Sequence, residues 1–286
     1  MISQSQLRKR IENCRESAKL MSWPQTYQQI NAVIGREAAS ILKLSAIVSL
    51  DPALSAGILK VANSAYYGQE EVTSINRAIM VIGLEEFRRL ATEVALIQQF
   101  KAPKGFDINI NDLWLHCIAT ARAANLIGEI FPYLSPEDLY TAGLLHDLGK
   151  LFMVTQFTDD VVKINELRKK KQLSWYEAEK EYGINHTLIG KVVAETWGLP
   201  PLLTKVIANH HNPDTITSYF MFVAIVYIAD IFADMAGFSF MSKLPKRFAP
   251  IVMLRLQLTK ADLKSCWRKF LEVVPDIRVF GESILA

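Results

Sequence analysis

The sequence predicts an all-α protein, a two-lobed helical bundle. Three observations carry this reading. Apolar residues recur at three- and four-residue spacing along most of the chain, and strand-like alternation is nearly absent. Helix-starting residues, Asp, Ser or Asn ahead of Pro or an acidic residue, precede several of these runs. The segment KAPKGFDININD, Lys101 to Asp112, gathers Pro, Gly, Asn and Asp and reads as the seam between the lobes.

The elements follow in order. The N-terminal MISQSQLRKRIENCRES is polar and lacks the apolar core of a signal peptide. SLDPALSAGILKVANSA offers Asp51 as a cap and Pro52 at the first helical position. TSINRAIMVIGLEEFRRLATEVALIQQF holds two helices, one capped near Ser74 and one starting at Leu84, broken apart around Gly83. In the second, Leu84, Phe87, Leu90, Ala91 and Val94 share a face predicted to point inward. Beyond the seam, a helix is predicted from about Asn111 to Ile130. The next, SPEDLYTAGLLHDLGK, has Ser135 as cap, Pro136 at its first position, and Glu137 and Asp138 at its positive end. Further helices are predicted over 158–171, 174–181, 185–197, 201–209 and 218–236, with more helix on the outside from about 245 to 286. The expected division is an N-terminal lobe over 1–105, a second lobe over 106–240 and a helical extension over 241–286.

Composition narrows the function classes. The chain of 286 residues is long enough for two lobes sharing a core, and its 50% apolar and 21% charged residues are ordinary for a soluble protein. A net charge of +3 is too small to argue for nucleic acid, so no duplex binding is expected. The run Arg168 to Lys171 sits among Glu166, Glu177 and Glu179 and reads as a solvated face. Cys14, Cys117 and Cys266 are far apart and form no Cys-x-x-Cys pair, which suits a reducing cytoplasm rather than a disulfide framework. The most apolar run, Tyr219 to Ala229, is too short to span a bilayer and ends at Asp230, so it reads as a buried core helix.

The chemistry lies in the histidines. There are five: His116, His146, His186, His210 and His211. His116 sits among the inward-looking Trp114, Ile118 and Ala119. His146 and Asp147 end a helix in which Ala142 and Gly143 allow close approach. His186 opens a helix, His210 and His211 end another, and Asp230 interrupts an apolar run. Imidazoles and carboxylates converging from helix ends suit a borderline divalent cation. Adjacent side chains on a helix point about 100° apart, so His146 and Asp147 need ligands from other helices, with His116, Asp230 and the later histidines available. Asp147 could bridge two metals through its two oxygens. Lys150, four residues after His146, could steady a phosphate oxygen, although Gly149 threatens the helix between them. The bland alternative remains open at this point: a histidine in an apolar helix is usually a core residue, and the His-His pair an exposed helix end.

Taken together, His116, the His146-Asp147 pair and the late Asp230 resemble the HD superfamily of metal-dependent phosphohydrolases. His186, His210, His211 and Lys150 are similar to the extended set of the HD-GYP cyclic-dinucleotide phosphodiesterases. This chain departs from HD-GYP in reading HHNPD where that family has His-His-Glu, and it contains no Gly-Tyr-Pro. The stretch Ile47 to Leu90 resembles the HDOD domain, the HD-related output domain of bacterial signalling proteins. The matching signatures are Asp51-Pro52-Ala53-Leu54, Ala62-Asn63-Ser64-Ala65, Tyr66-Tyr67-Gly68, the break at Ile82-Gly83-Leu84, and Trp197-Gly198-Leu199-Pro200. The resemblance covers residues 15 to 235, with the usual Leu-Pro-x-Leu-Pro entry degraded to LMSWP.

The resemblance implies an HD-like second lobe and metal ligands at His116, His146, Asp147, His186, His210, His211 and Asp230. It implies catalytic parts for Asp147 and Lys150, and a divalent transition metal, two ions, from among Fe, Mn, Zn and Ni. It also implies a nucleotide or other phosphate-ester ligand and a signalling protein as partner. Two functions are expected to compete: a regulatory protein with phosphohydrolase activity, and a non-catalytic module in which metal or nucleotide sets the conformation. A third alternative is a metal-free core of hydrogen-bonded histidines.

Overall fold

The computed structural model describes residues 2–21, 28–30, 33, 37–64, 67, 71–100, 108–241 and 248–285, without the side chains of 37–40, 53, 280 and 282–285. Most of LMSWP, the signature residues Ala65, Tyr66 and Gly68, and most of the 101–112 seam lie outside these residues, as does the side chain of Ala53. Among the described residues every long element is a helix, and there is no strand. The all-α expectation holds.

The chain forms two compact units. One comprises 22–101 with 275–286, and the other 1–21 with 102–274. This grouping differs from the sequence-based division at both ends. The first helix, α1 (Gln4–Met21), belongs with the histidine-bearing unit because it buries Cys14 and Ala18 there. The Trp197 indole N–H donates to the Ala18 carbonyl at 2.8 Å, and Arg10 pairs with the buried Asp160 at 2.7 Å. Residues 248–274 join the same unit through Phe270, whose ring stacks on Phe232 with centroids 6.1 Å apart.

In the 22–101 unit, four helices are α2 (Glu37–Ser49), α3 (Pro52–Ala62), α4 (Ile75–Ile82) and α5 (Leu84–Gln99). Asp51 caps α3 by accepting from the Leu54 N–H at 3.0 Å, as its sequence position predicts. Asn63 ties the end of α3 to the following segment: its amide donates to the Val72 carbonyl and its oxygen accepts the Val72 N–H, both at 2.8 Å. That bond pair gives the Ala62-Asn63-Ser64 signature a structural reason. The predicted inward face of α5 is buried at Phe87, Leu90, Ala91 and Val94.

In the other unit the helices after α1 are α6 (Ile110–Gly128), α7 (Pro136–Leu145), α8 (Leu148–Gln156), α9 (Thr158–Lys171), α10 (Trp175–Tyr182), α11 (His186–Thr196), α12 (Pro201–Asn209), α13 (Phe220–Met235) and α14 (Pro250–Leu256). The last helix, α15 (Lys260–Leu285), carries Pro275 where the two units divide it. Helices α6, α7 and α13 pack on one another, and α11 packs on α8 and α12. A Cβ at Gly143 would sit 2.7 Å from the Ala121 Cα, so α6 and α7 meet backbone to backbone. α13 is buried along most of its length, as the apolar run predicts. Among the described residues no single helix is long and apolar enough to cross a membrane; one pair, Ile41–Ser49 with Leu54–Ala62, passes on length and composition but is bent by 119°.

All three thiols are free and buried. Burial pushes the Cys14 thiol up to about 12 and raises those of Cys117 and Cys266. Since the thiolate is the nucleophile, native protein at pH 8 should resist iodoacetamide at all three positions and react threefold once denatured. Intact-mass measurement checks this; rapid labelling of Cys14 in the native state would contradict the packing of α1.

Candidate metal centre

The site begins at a break between two helices. Ser135 caps α7 through the Asp138 N–H, and α7 runs to Leu145. His146 keeps helical backbone angles, whereas Asp147 relaxes to φ −98°, ψ 21° before α8 starts at Leu148. The interruption therefore falls at Asp147 and not at Gly149, the residue suspected from sequence. Gly149 serves close approach: a Cβ there would lie 1.8 Å from the His186 carbonyl oxygen and 2.7 Å from the Gly190 nitrogen. This contact delivers His186, the first residue of α11, to Asp147.

The seven residues singled out from sequence as candidate ligands come together here, with Lys150 beside them. Asp147 is fully buried at the centre. Its Oδ2 faces His116 Nε2 at 3.5 Å and His146 Nε2 at 3.4 Å. Its Oδ1 faces His186 Nε2 at 3.4 Å and His210 Nε2 at 3.5 Å. Asp230, from α13, places Oδ1 3.2 Å from His116 Nε2. His211 Nε2 lies 3.0 Å from His186 Nε2, and its ring packs on Tyr176 with centroids 4.3 Å apart. The His-His pair is no exposed helix end, since His210 is fully buried and the His211 side chain is 11% exposed. Lys150 is buried as well, and its ammonium donates to Asp147 Oδ2 at 2.6 Å.

The outer nitrogens decide what the inner ones can do. His116 Nδ1–H donates to the Phe238 carbonyl at 3.0 Å, His146 Nδ1–H to the Gly143 carbonyl at 2.7 Å, and His210 Nδ1–H to the Ile207 carbonyl at 3.1 Å. His186 Nδ1–H donates to the Glu179 carboxylate at 2.5 Å. A carbonyl or carboxylate can only accept, so each Nδ1 carries a proton, and in its neutral form each ring turns a bare Nε2 lone pair inward. His186 and His210 thus aim two lone pairs at each other across 3.3 Å. Buried Nε2 of His116, Nε2 of His146 and Oδ1 of Asp147 have no hydrogen-bond partner. Such a cluster calls for a positive charge at its centre, and nitrogen–oxygen donors of this kind fit a divalent transition metal.

Charge effects agree. Burial would raise the Asp147 pKa, but the neighbouring His146 and Lys150 hold it well below the usual carboxylate range. Burial lowers the pKa of His186 and of His210, keeping them neutral as ligation requires. At His116 burial works in the same direction, but Asp230, Asp234 and Asp147 outweigh it and raise the pKa. That position favours a cation.

Among the described residues three groups have donor atoms close enough to hold an ion: His186, His210 and His211; His116, His146 and Asp147; and His116, Asp230 and Asp234. Asp234 escaped the sequence reading, although its four-residue spacing from Asp230 places it on the same face of α13. Glu179, whose charged surroundings in the sequence predict a solvated face, is instead fully buried. Its neighbours in that face, Lys169 to Lys171 and Glu177, are exposed as expected. Only the fold puts Glu179 against His186.

Comparison with known proteins places the chain. Residues 20–213 match the HDOD domain. An HDOD domain protein of unknown function from Geobacter sulfurreducens superposes with a TM-score of 0.77 at 23% identity, covering 97% of this chain and 99% of that one. A Shewanella amazonensis protein, provisionally named a phosphohydrolase, gives 0.70 at 22% identity over 95% and 98%. At these identities the likeness is one of fold. An uncharacterised protein of Treponema pallidum (strain Nichols) is 24% identical over 192 residues, 66% of this chain and 37% of that protein's length. With a family match over two thirds of its length and this arrangement of helices, the chain belongs to the HDOD domain family.

Proposed function

We propose that this protein is a regulatory HDOD protein whose histidine-bearing unit holds two divalent transition-metal ions and hydrolyses a phosphate ester. One observation carries the reading: the two oxygens of Asp147 face two different sets of inward imidazole nitrogens. His116, His146 and Asp230 would hold one ion, His186, His210 and His211 the other, with Asp147 shared between them. Divalent ions so held supply Lewis acidity toward a phosphoryl oxygen and make water more acidic. The protein's own residues supply orientation and charge. The Nδ1 hydrogen bonds lock the ring planes, and the helices exclude bulk water from Asp147. Lys150, now on Asp147 Oδ2, has the charge and reach to take a phosphate oxygen instead. Iron, manganese, zinc and nickel all suit these donors. A nucleotide or related phosphate ester is the substrate class, and a signalling protein in a reducing cytoplasm is the partner.

Metal removal tests this directly. Untagged protein should carry about two transition-metal equivalents, hydrolyse phosphomono- or diesters, lose both on treatment with a chelator, and regain both with added cation. Protein that takes up no metal after reconstitution would sink the proposal. A second reading, a conformational module without turnover, is favoured by the burial of Asp147, His116, His146, His186 and His210 to within 2% exposure. Retained metal with no turnover on a broad ester panel would select it.

A further inference from the structure

The two halves of the centre are unequally charged. The His116 half is faced by Asp147, by Asp230 Oδ1 at 3.2 Å and by Asp234 Oδ1, 3.7 Å from His116 Nδ1. The three-histidine half meets Asp147 Oδ1, and beyond it an Asp230 oxygen 4.0 Å from His211 Nδ1. A divalent ion bound by three neutral imidazoles and one shared carboxylate oxygen would be poorly compensated in a buried site. The outer nitrogens are unequal in the opposite sense. His116, His146 and His210 each donate to a neutral backbone carbonyl, whereas His186 donates to a carboxylate, that of Glu179.

Local structure shows how Glu179 is held there. A capping box between Ser174 and Glu177 starts α10, and Gly183, at φ 103°, ends it and turns the chain within two residues into Asn185, the cap of α11. The turn folds α10 back so that Glu179 reaches the first residue of α11. Glu179 is fully buried, and both oxygens are used: Oε1 accepts the Trp175 indole N–H at 2.6 Å and Oε2 accepts His186 Nδ1–H. With both acceptors filled, the carboxylate has a single orientation.

We propose that Glu179 is a positioning residue of this centre: it fixes His186 as the Nδ1–H tautomer, aims Nε2 at Asp147, and adds a negative charge to the three-histidine half. This rests on the metal reading above. A carboxylate behind a ligating imidazole also strengthens the nitrogen as a donor, and removing such a partner typically weakens metal binding by about 10–100-fold. Glu179→Gln is the informative change. Its one carbonyl cannot serve both Trp175 and His186. If it stays on the indole, the amide N–H faces His186, Nδ1 must accept, and the proton moves to Nε2, which then cannot ligate.

Zn2+ titration of metal-free protein in the presence of a competing chelator reads the effect. Wild type should take two equivalents, and Glu179→Gln should lose about 10–100-fold in affinity for one of them while the other is unchanged. Asp230→Asn should weaken the opposite equivalent. Nitrogen-15 NMR of the imidazoles in metal-free wild type supplies a test that needs no variant: the His186 proton should reside on Nδ1. A proton on Nε2 of His186, or two equivalents at wild-type affinity in Glu179→Gln, would overturn the assignment. Wild type that takes no Zn2+ overturns the metal reading itself, and the NMR tautomer then decides the placement of Glu179 separately.

Discussion

Asp147→Ala is expected to abolish metal retention in both halves of the proposed centre at once. Its two oxygens are the shared element: one faces His116 and His146, the other His186 and His210. Loss of a shared ligand should exceed the roughly 10–100-fold cost of losing an outer partner, so neither equivalent should survive gel filtration. The same substitution should destabilise the metal-free protein. Lys150, 9% exposed, loses the carboxylate 2.6 Å from its ammonium, and removing one member of a buried pair costs about 3–5 kcal/mol. At roughly 2–4 °C per kcal/mol the melting temperature should fall by on the order of 10 °C. Elemental analysis and thermal unfolding in chelator measure the two effects. Retention of one full equivalent by Asp147→Ala would refute a shared carboxylate.

The second large effect is purely steric. Gly149→Ala inserts a methyl 1.8 Å from the His186 carbonyl oxygen and 2.7 Å from the Gly190 nitrogen. Both obstacles are backbone, so no rotamer change relieves the clash, and α8 must move away from α11. Overpacking usually costs about 1–3 kcal/mol, and a contact this short belongs at or above the upper end. Because the same displacement carries Asp147 away from His186 and His210, the variant should lose metal affinity as well as stability. Unfolding by denaturant together with Zn2+ titration distinguishes the outcomes. A wild-type midpoint would mean that the two helices do not meet as described.

The residues show where sequence reading succeeds. Capping is local, so Asp51, Ser74 and Ser135 announce their helices by side chains that bond backbone within three residues. The apolar run before Asp230 announces a buried helix, and a carboxylate ending such a run announces a partner. By the same logic the histidine and aspartate types, and their placement at helix ends, mark the centre before any fold is known. Asp234 was legible too, since four residues from Asp230 is the same helix face.

Other features are not local. Glu179 lies in a segment as charged as its solvated neighbours, and nothing in WYEAEKEY separates the buried carboxylate from the exposed ones. Lys150 looks like a lysine past a helix end until the break is seen to fall at Asp147. The grouping of α1 with the histidine-bearing unit depends on Ala18 and Trp197, which are far apart in sequence.

Sequence alone therefore determined the all-α class, the helix starts and the identity of the candidate ligands, because hydrophobic period and capping act within a turn or two of helix. Tertiary structure alone decided which nitrogens face inward, that Asp147 stands between two sets of them, and that Glu179 stands behind one. Those are distances between helices, set by backbone contacts such as Gly149 on His186, and no local pattern encodes them.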